Sequence, residues 1–415
     1  MTASELDVEL YGTRIGSIRR DAGGFDFSAD PKAFRRYGIL STVMSLAVPL
    51  SPRYSASGKP RRQNFFAEIL PEGRNLTWLA QTARLDERDV FGLLRRFGRD
   101  VAGALIIRDA DETDCVRPYA EKISGEEVRT LFERVSENPL GNDQRSGRIS
   151  LGGFQTKIVL AREGGRWKKV HCGYPSTHII KPVGEHPTMI YDEEYAMRLA
   201  KAIGLTSYSV WIEEFGGADA LVAERYDRSP DIPGHRIHQE DFNQVLGASG
   251  NKKYQEFGGK VSYAKIAAAV AGHASSEDVC ALASQMIFAA AIGNLDMHAK
   301  NIGVLHGPDG KVRLAPAYDC VPLTHHDIGG RMALAVGKEY LHRNISSDNI
   351  VREIMEWDGV DSSYADVQTL VREHLNLISE AAAGEEPHPK AYPKLREDIL
   401  RYVSNLEGGK RAGST

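Results

Sequence analysis

The chain has 415 residues, a net charge of −4, 42% hydrophobic and 26% charged residues, and a pI near 6.4. That length implies more than one domain, and the mild acidity argues against direct nucleic-acid binding, which takes a basic field. The four cysteines, Cys115, Cys172, Cys280 and Cys320, lie too far apart for zinc spacing or a disulfide framework, which fits a reducing cytoplasm.

The N-terminus "MTASELDVELYG" shows no signal-peptide pattern. "DVELYGTRIGSIRR" alternates around Gly12 and predicts a hairpin. "STVMSLAVPLS" predicts a further strand, and "NFFAEILPEG" and "ERDVFGLLRRFGRD" predict helices ending at Pro71 and Gly98. The basic run "GKPRR", 58–62, reads as a solvated loop. A polar linker, 109–119, closes this α+β segment. Strands then dominate to about 228: "KIVLAR" and "WKKVHC" flank "EGG" as a hairpin, and "THIIKP" and "ALVAERYDR" are strands around the helix "DEEYAMRLAKAIGL". Beyond about 238 the spacing turns helical. Ser275 stands three before Asp278 as a capping box for an apolar helix. The longest apolar run, 286–292, is too short to span a bilayer, so no membrane partner is expected. "NIGVLHGPDGKVRLAPAYD" is a second hairpin, turning at Pro-Asp-Gly. The last stretch, "EGGKRAGST", carries no core residues and is expected to be mobile.

The polar turn "GNLDMHAKN", 293–301, follows the apolar helix and carries the candidate chemistry. Asp296 and Asn301 stand five apart, and Asp319 ends the hairpin that Asn301 begins. A hairpin brings its two ends together, so Asn301 and Asp319 should be neighbours. Two oxygen donors side by side suit Mg²⁺, which takes few protein ligands. Asp296 would then stand nearby, free of the metal, as a base for phosphoryl transfer. "SLGGFQTKIVL" supplies a glycine turn between strands, as lies over ATP in kinases. Lys181 in an apolar strand needs a charge partner, and Glu193 and Glu194 open the next helix within reach. "VAERYDR" could offer backbone groups to an adenine. The order of these pieces is that of the kinase fold: α+β and bilobal, with a β-rich N-lobe (125–235), a helical C-lobe (236–405), an additional N-terminal α+β subdomain (1–108) and a mobile tail (406–415).

The motifs "SLGGFQTKIVL", "STHIIKP", "ERYDR", "HQEDFNQVLG", "DMHAKNIGV" and "APAYDCVPL", with "FFAEILPEG" nearer the N-terminus, resemble the HipA family of bacterial toxin serine/threonine kinases, over about 5–400. That resemblance implies Asp296 as the catalytic residue and Asn301 and Asp319 as magnesium ligands. It implies Gly152, Gly153, Phe154, Gln155, Thr156 and Lys157 as the phosphate loop and Lys181, paired with Glu193, at the ATP phosphates. It places Glu224, Arg225 and Tyr226 at the adenine, and His298, Lys300 and Tyr318 along the nucleotide site. It implies Ser150 as an autophosphorylation site, ATP and Mg²⁺ as cofactors, a small helix-turn-helix antitoxin as partner, and DNA contact only through that antitoxin. Aminoacyl-tRNA synthetases are among the family's targets. Phe154 departs from the family loop, where a small residue is usual. Competing readings are a small-molecule or phosphoinositide-type kinase, which shares D-x-H-x₂-N, and a catalytically silent co-repressor.

Overall fold

The computed structural model describes residues 5–109, 111, 117–135, 140–142, 149–151 and 155–414. It divides into two compact units: residues 1–182, 213–240 and 305–312 form the first, and 183–212, 241–304 and 313–415 the second. The first hundred residues and the β-rich segment therefore share one unit instead of parting at the linker.

In the first unit the N-terminal hairpin forms as expected. Strands Glu5–Leu10 and Thr13–Asp21 pair antiparallel, and Tyr11 and Gly12 turn between them at positive φ. Residues 41–51, expected to be a strand, form none. The Ser45 hydroxyl accepts the N–H groups of Ala47 and Val48, and Leu46 N–H donates to the Glu240 carboxylate. Those local bonds take the donors that a sheet ladder would need. The fourth strand of that sheet is Ile106–Arg108 instead. The helix ending near Pro71 spans Lys59–Ala67, and Val90–Phe97 ends at Gly98 as predicted. A further helix, Gly73–Ala83, escapes the sequence reading. The basic run at 58–62 is partly neutralised: Lys59 pairs with Asp21, and the buried Arg62 pairs with Asp26.

A six-stranded sheet contains strand His178–Pro182 at its centre, between Ile158–Glu163 and Ala218–Glu224. A buried ion network joins its edge loops to residue 100. The carboxylate of Asp100 accepts from Arg228 and Arg236, each at 3.0 Å, and from the Ser176 hydroxyl at 2.7 Å. Arg225 and Arg228 both reach Asp227, which also accepts Gly103 N–H at 2.7 Å. The arginines hold both carboxyls well below the usual carboxylate range. Burial beside Arg225 pulls the Arg228 guanidinium down to about 9. A second buried set gathers Glu240, which accepts from Ser45 at 2.7 Å and meets His306 at 3.0 Å, and His238, whose Nε2 meets Met44 O at 2.7 Å. Cys172, expected to be a free thiol, is disulfide-bonded; the other cysteine lies outside the described residues.

The second unit is built on the helix Ser276–Ile292, capped by the predicted Ser275–Asp278 box and buried along most of its length. It stops at Gly293, at φ +70°, where a Cβ would lie 2.6 Å from Thr324 Cγ2. Only glycine meets both conditions. The C-terminal stretch is not loose: Ala412 is buried, its N–H donates to Ile345 O at 2.7 Å, and Asn405 Nδ2 donates to Ala412 O and Ser414 O. No helix among the described residues is long and apolar enough to cross a membrane.

Candidate active site

The turn 294–301 is locked by its own backbone. Asn294 Oδ1 accepts Asp296 N–H at 3.1 Å, Asp296 O accepts His298 N–H at 2.8 Å, and His298 O accepts Asn301 N–H at 2.8 Å. Asn301 Nδ2 also donates to Asp296 O at 2.9 Å, which fixes its amide and leaves Oδ1 as the acceptor end. Nearly every residue of the turn is buried, yet the Asp296 carboxylate is 49% exposed. It faces a cavity of about 400 Å³ whose walls include Tyr254, Phe257, His186, His326 and Arg331. Tyr254 donates its hydroxyl to Asp296 Oδ1 at 3.1 Å, and His298 Nε2 stands 3.8 Å from Oδ2. The His298 ring packs edge-on against Tyr254.

The hairpin does what the spacing predicts. Ala315 N–H donates to Gly303 O at 2.8 Å, closing its base. Tyr318 then donates to Lys300 O at 2.8 Å. The immediate neighbours of Asn301 and Asp319 are thus bonded to each other. Asp319 itself adopts φ +55°, a left-handed conformation uncommon outside glycine and a mark of functional sites when it is enforced. Asn301 and Asp319 offer an amide oxygen and a carboxylate, hard oxygen donors of the kind that suits Mg²⁺.

The remaining expected residues divide between the units. Lys181 is buried in its strand in the first unit, opposite Leu221. Glu193 is buried in the helix Met189–Ala202 in the second. Glu194 pairs with Arg198 at 2.7 Å, which separates the two glutamates that the sequence left open. Gly152, Gly153 and Phe154 lie outside the described residues. Gln155, Thr156 and Lys157 lead into strand Ile158–Glu163. Glu224 ends its strand and Tyr226 is half-buried. Arg225 is a correction: its N–H donates to Thr177 O, its carbonyl accepts Arg228 N–H, and its guanidinium belongs to the buried network. It offers nothing to an adenine. Ser150 is fully buried, with its hydroxyl on Ile69 O at 3.1 Å and its N–H on Asp100 O at 2.9 Å. Tyr254 and Asn294 were missed; nothing in the sequence marks a tyrosine 42 positions from Asp296.

Residues 6–108 match the HipA N-terminal domain and 149–384 the HipA-like C-terminal domain. A putative kinase of Sinorhizobium fredii, Y4mE, is 31% identical over 360 residues, 84% of each chain. The serine/threonine-protein kinase toxin HipA of Shewanella oneidensis is 29% identical over 365 residues, covering 82% of this chain and 80% of that one. A solved structure of HipA from that organism, in complex with HipB and its operator DNA, superposes with a TM-score of 0.76 over 97% of this chain and 96% of that one, at 24% identity. These likenesses define a serine/threonine-protein kinase with an α+β, protein-kinase-like fold and an added N-terminal domain. The chain belongs to the HipA family.

Proposed function

We propose that the protein transfers phosphate from Mg·ATP to serine or threonine of a protein substrate and acts as the toxin of a toxin–antitoxin pair in the cytoplasm. The observation that carries this reading is Asp296: a carboxylate held out to a cavity by a rigid turn, beside the bonded neighbours of Asn301 and Asp319. When bound, Mg·ATP supplies the phosphoryl group, and the cation offsets the charge of its oxygens. Asp296 would orient the acceptor hydroxyl and take its proton as the oxygen bonds to the γ-phosphorus and the bond from that phosphorus to the ADP oxygen breaks. Asn301 and Asp319 would hold the cation, and Lys181 would contact the phosphates. Lys157, Thr156 and Gln155 continue the phosphate loop, and His298, Lys300 and Tyr318 back the nucleotide pocket. Adenine contacts then fall to the backbone at Glu224 and Tyr226.

Calorimetric titration with Mg·ATP tests the cation ligands. Asp319→Ala should abolish Mg²⁺-dependent binding, whereas Lys181→Ala should slow transfer and leave cation binding intact. Unchanged binding by the Asp319 variant removes it from the site. The buried Ser150 can be phosphorylated only after it leaves Ile69. Phosphate there adds roughly −1.5 to −2 charges, which the interior it vacated would not readmit. A HipB-like helix-turn-helix antitoxin is the expected partner. The net charge of −4 and the pairing of Lys59 and Arg62 support DNA contact through that partner. Phosphoproteomics after brief expression would name the substrate, with an aminoacyl-tRNA synthetase as the expected class.

A further inference from the structure

A histidine cluster in the second unit serves no role in the reading above. Asp192, fully buried in the helix Met189–Ala202, accepts Tyr392 N–H on Oδ1 at 2.8 Å and meets His325 Nε2 on Oδ2 at 3.1 Å. The His325 ring lies flat on Tyr392, with centroids 4.2 Å apart at 7°. His326 follows, its ring 4.2 Å from that of His325, and His186 meets His326 edge-on at 4.8 Å. The ligating atoms of Asp192, His325 and His326 all lie within 4.8 Å of one another. His326 Nε2 is sealed from solvent and meets no hydrogen-bond partner among the described residues. A sealed, unpartnered ring nitrogen is costly, and a cation would satisfy it.

We propose that Asp192, His325 and His326 form a binding site for a borderline divalent transition cation, of which Zn²⁺ is the archetype, with the fourth position left to water. Tetrahedral zinc, with bonds of about 2.0–2.1 Å, sets its ligands ~3.3 Å apart. The Asp192–His325 pair already has nearly that spacing, at 3.1 Å, and His326, within 4.8 Å, must close in by up to about 1.5 Å. Imidazole donors select such cations over Mg²⁺, which prefers oxygen. This separates the cluster chemically from Asn301 and Asp319.

The location gives the cation a task. Asp192 adjoins Glu193 on its helix, and His325 follows Asp319 by six residues. The cation would clamp that helix to the segment after the magnesium aspartate, while His186 and His326 wall the cavity that Asp296 faces. This consequence rests on the proposed kinase site; the binding itself does not.

Co²⁺ is the probe, titrated into the full chain without nucleotide. The expected result is a visible d–d band of tetrahedral intensity, saturating at about one equivalent. His325→Asn and His326→Asn should each weaken binding by at least about tenfold, since even outer-shell losses cost that much. Asp319→Ala should leave the band unchanged. No band, a band untouched by both histidine substitutions, or a band lost with Asp319 would overturn the proposal. Should the histidine variants fail to fold, X-ray absorption of the unaltered protein with one equivalent of Zn²⁺ decides. Two imidazoles are expected, and a sulfur ligand or an all-oxygen shell refutes the site. Neither readout depends on phosphoryl transfer, so failure here and failure of the kinase reading remain distinct.

Discussion

Two polar clusters, one in each unit, are treated in opposite ways. Around Asp100 in the first unit, two carboxylates and three arginines are withdrawn from solvent and pair with one another. At 294–301 in the second, the backbone is just as tightly bonded, but the Asp296 carboxylate is turned outward to a cavity. Carboxylates and guanidiniums spent largely on one another suit a scaffold; a rigid frame that leaves one charged group facing solvent suits chemistry. The contrast matters because both clusters come from sequence stretches that look alike. "ERYDR" and "LDMHAKN" are each a dense polar run beside an apolar element.

Substitution should separate the two. Asp296→Asn should slow phosphoryl transfer by about 10²–10⁴-fold and shift stability by less than about 0.5 kcal/mol. Phosphorylation of protein at the parent rate by the folded variant would remove Asp296 from the chemistry. Asp100→Ala should do the reverse. It strands Arg228 and Arg236 in the interior, and breaking a buried pair in this way costs roughly 3–5 kcal/mol. Denaturant unfolding reads this directly, and a loss under about 1 kcal/mol would show that the network is not the scaffold it resembles.

A milder test uses pH. Burial pulls His238 down to about 3 and His178 to about 4. The unfolded chain, with both histidines near 6.5, binds more protons throughout the interval below that value. Stability is therefore fully present above about pH 6.5 and falls as the pH drops towards those values, by roughly 1–2 kcal/mol per histidine at about pH 5. Unfolding curves at pH 7 and pH 5 should show this loss. A flat profile would mean that these rings are reached by water.

What was legible in the sequence was local. Asp296 and Asn301 fall within one turn and Asp319 follows the hairpin after it, so their grouping as candidates rests on connectivity. The capping box at Ser275 and the turn at Gly12 are likewise written within a few residues. What was not legible depends on partners far away along the chain. Residues 41–51 lose their strand because Leu46 bonds Glu240, 194 positions on. Arg225 was placed at the adenine by the family resemblance, and neither that nor periodicity tells of Asp227 and Val101 O enclosing its guanidinium. The C-terminal stretch looked mobile because its one buried residue is an alanine whose tie is to Ile345.

Tyr254 is the finest test of the contrast, because it belongs to the frame and also touches the proposed base. Its hydroxyl donates to Asp296 Oδ1 at 3.1 Å, and its ring is packed by His298. Tyr254→Phe keeps the ring and removes one hydrogen bond. A neutral donor on a carboxylate contributes about 0.5–1.5 kcal/mol, so kcat should fall about two- to tenfold with KM for ATP unchanged. The hydroxyl also favours the ionised carboxylate. Its loss should move the acidic limb of the pH–rate profile to higher pH, an effect that a purely structural tyrosine would not produce. A variant with reduced kcat and an unmoved acidic limb would place Tyr254 with the scaffold. A shifted limb would place it with Asp296, as the group that holds the base in its working orientation and charge.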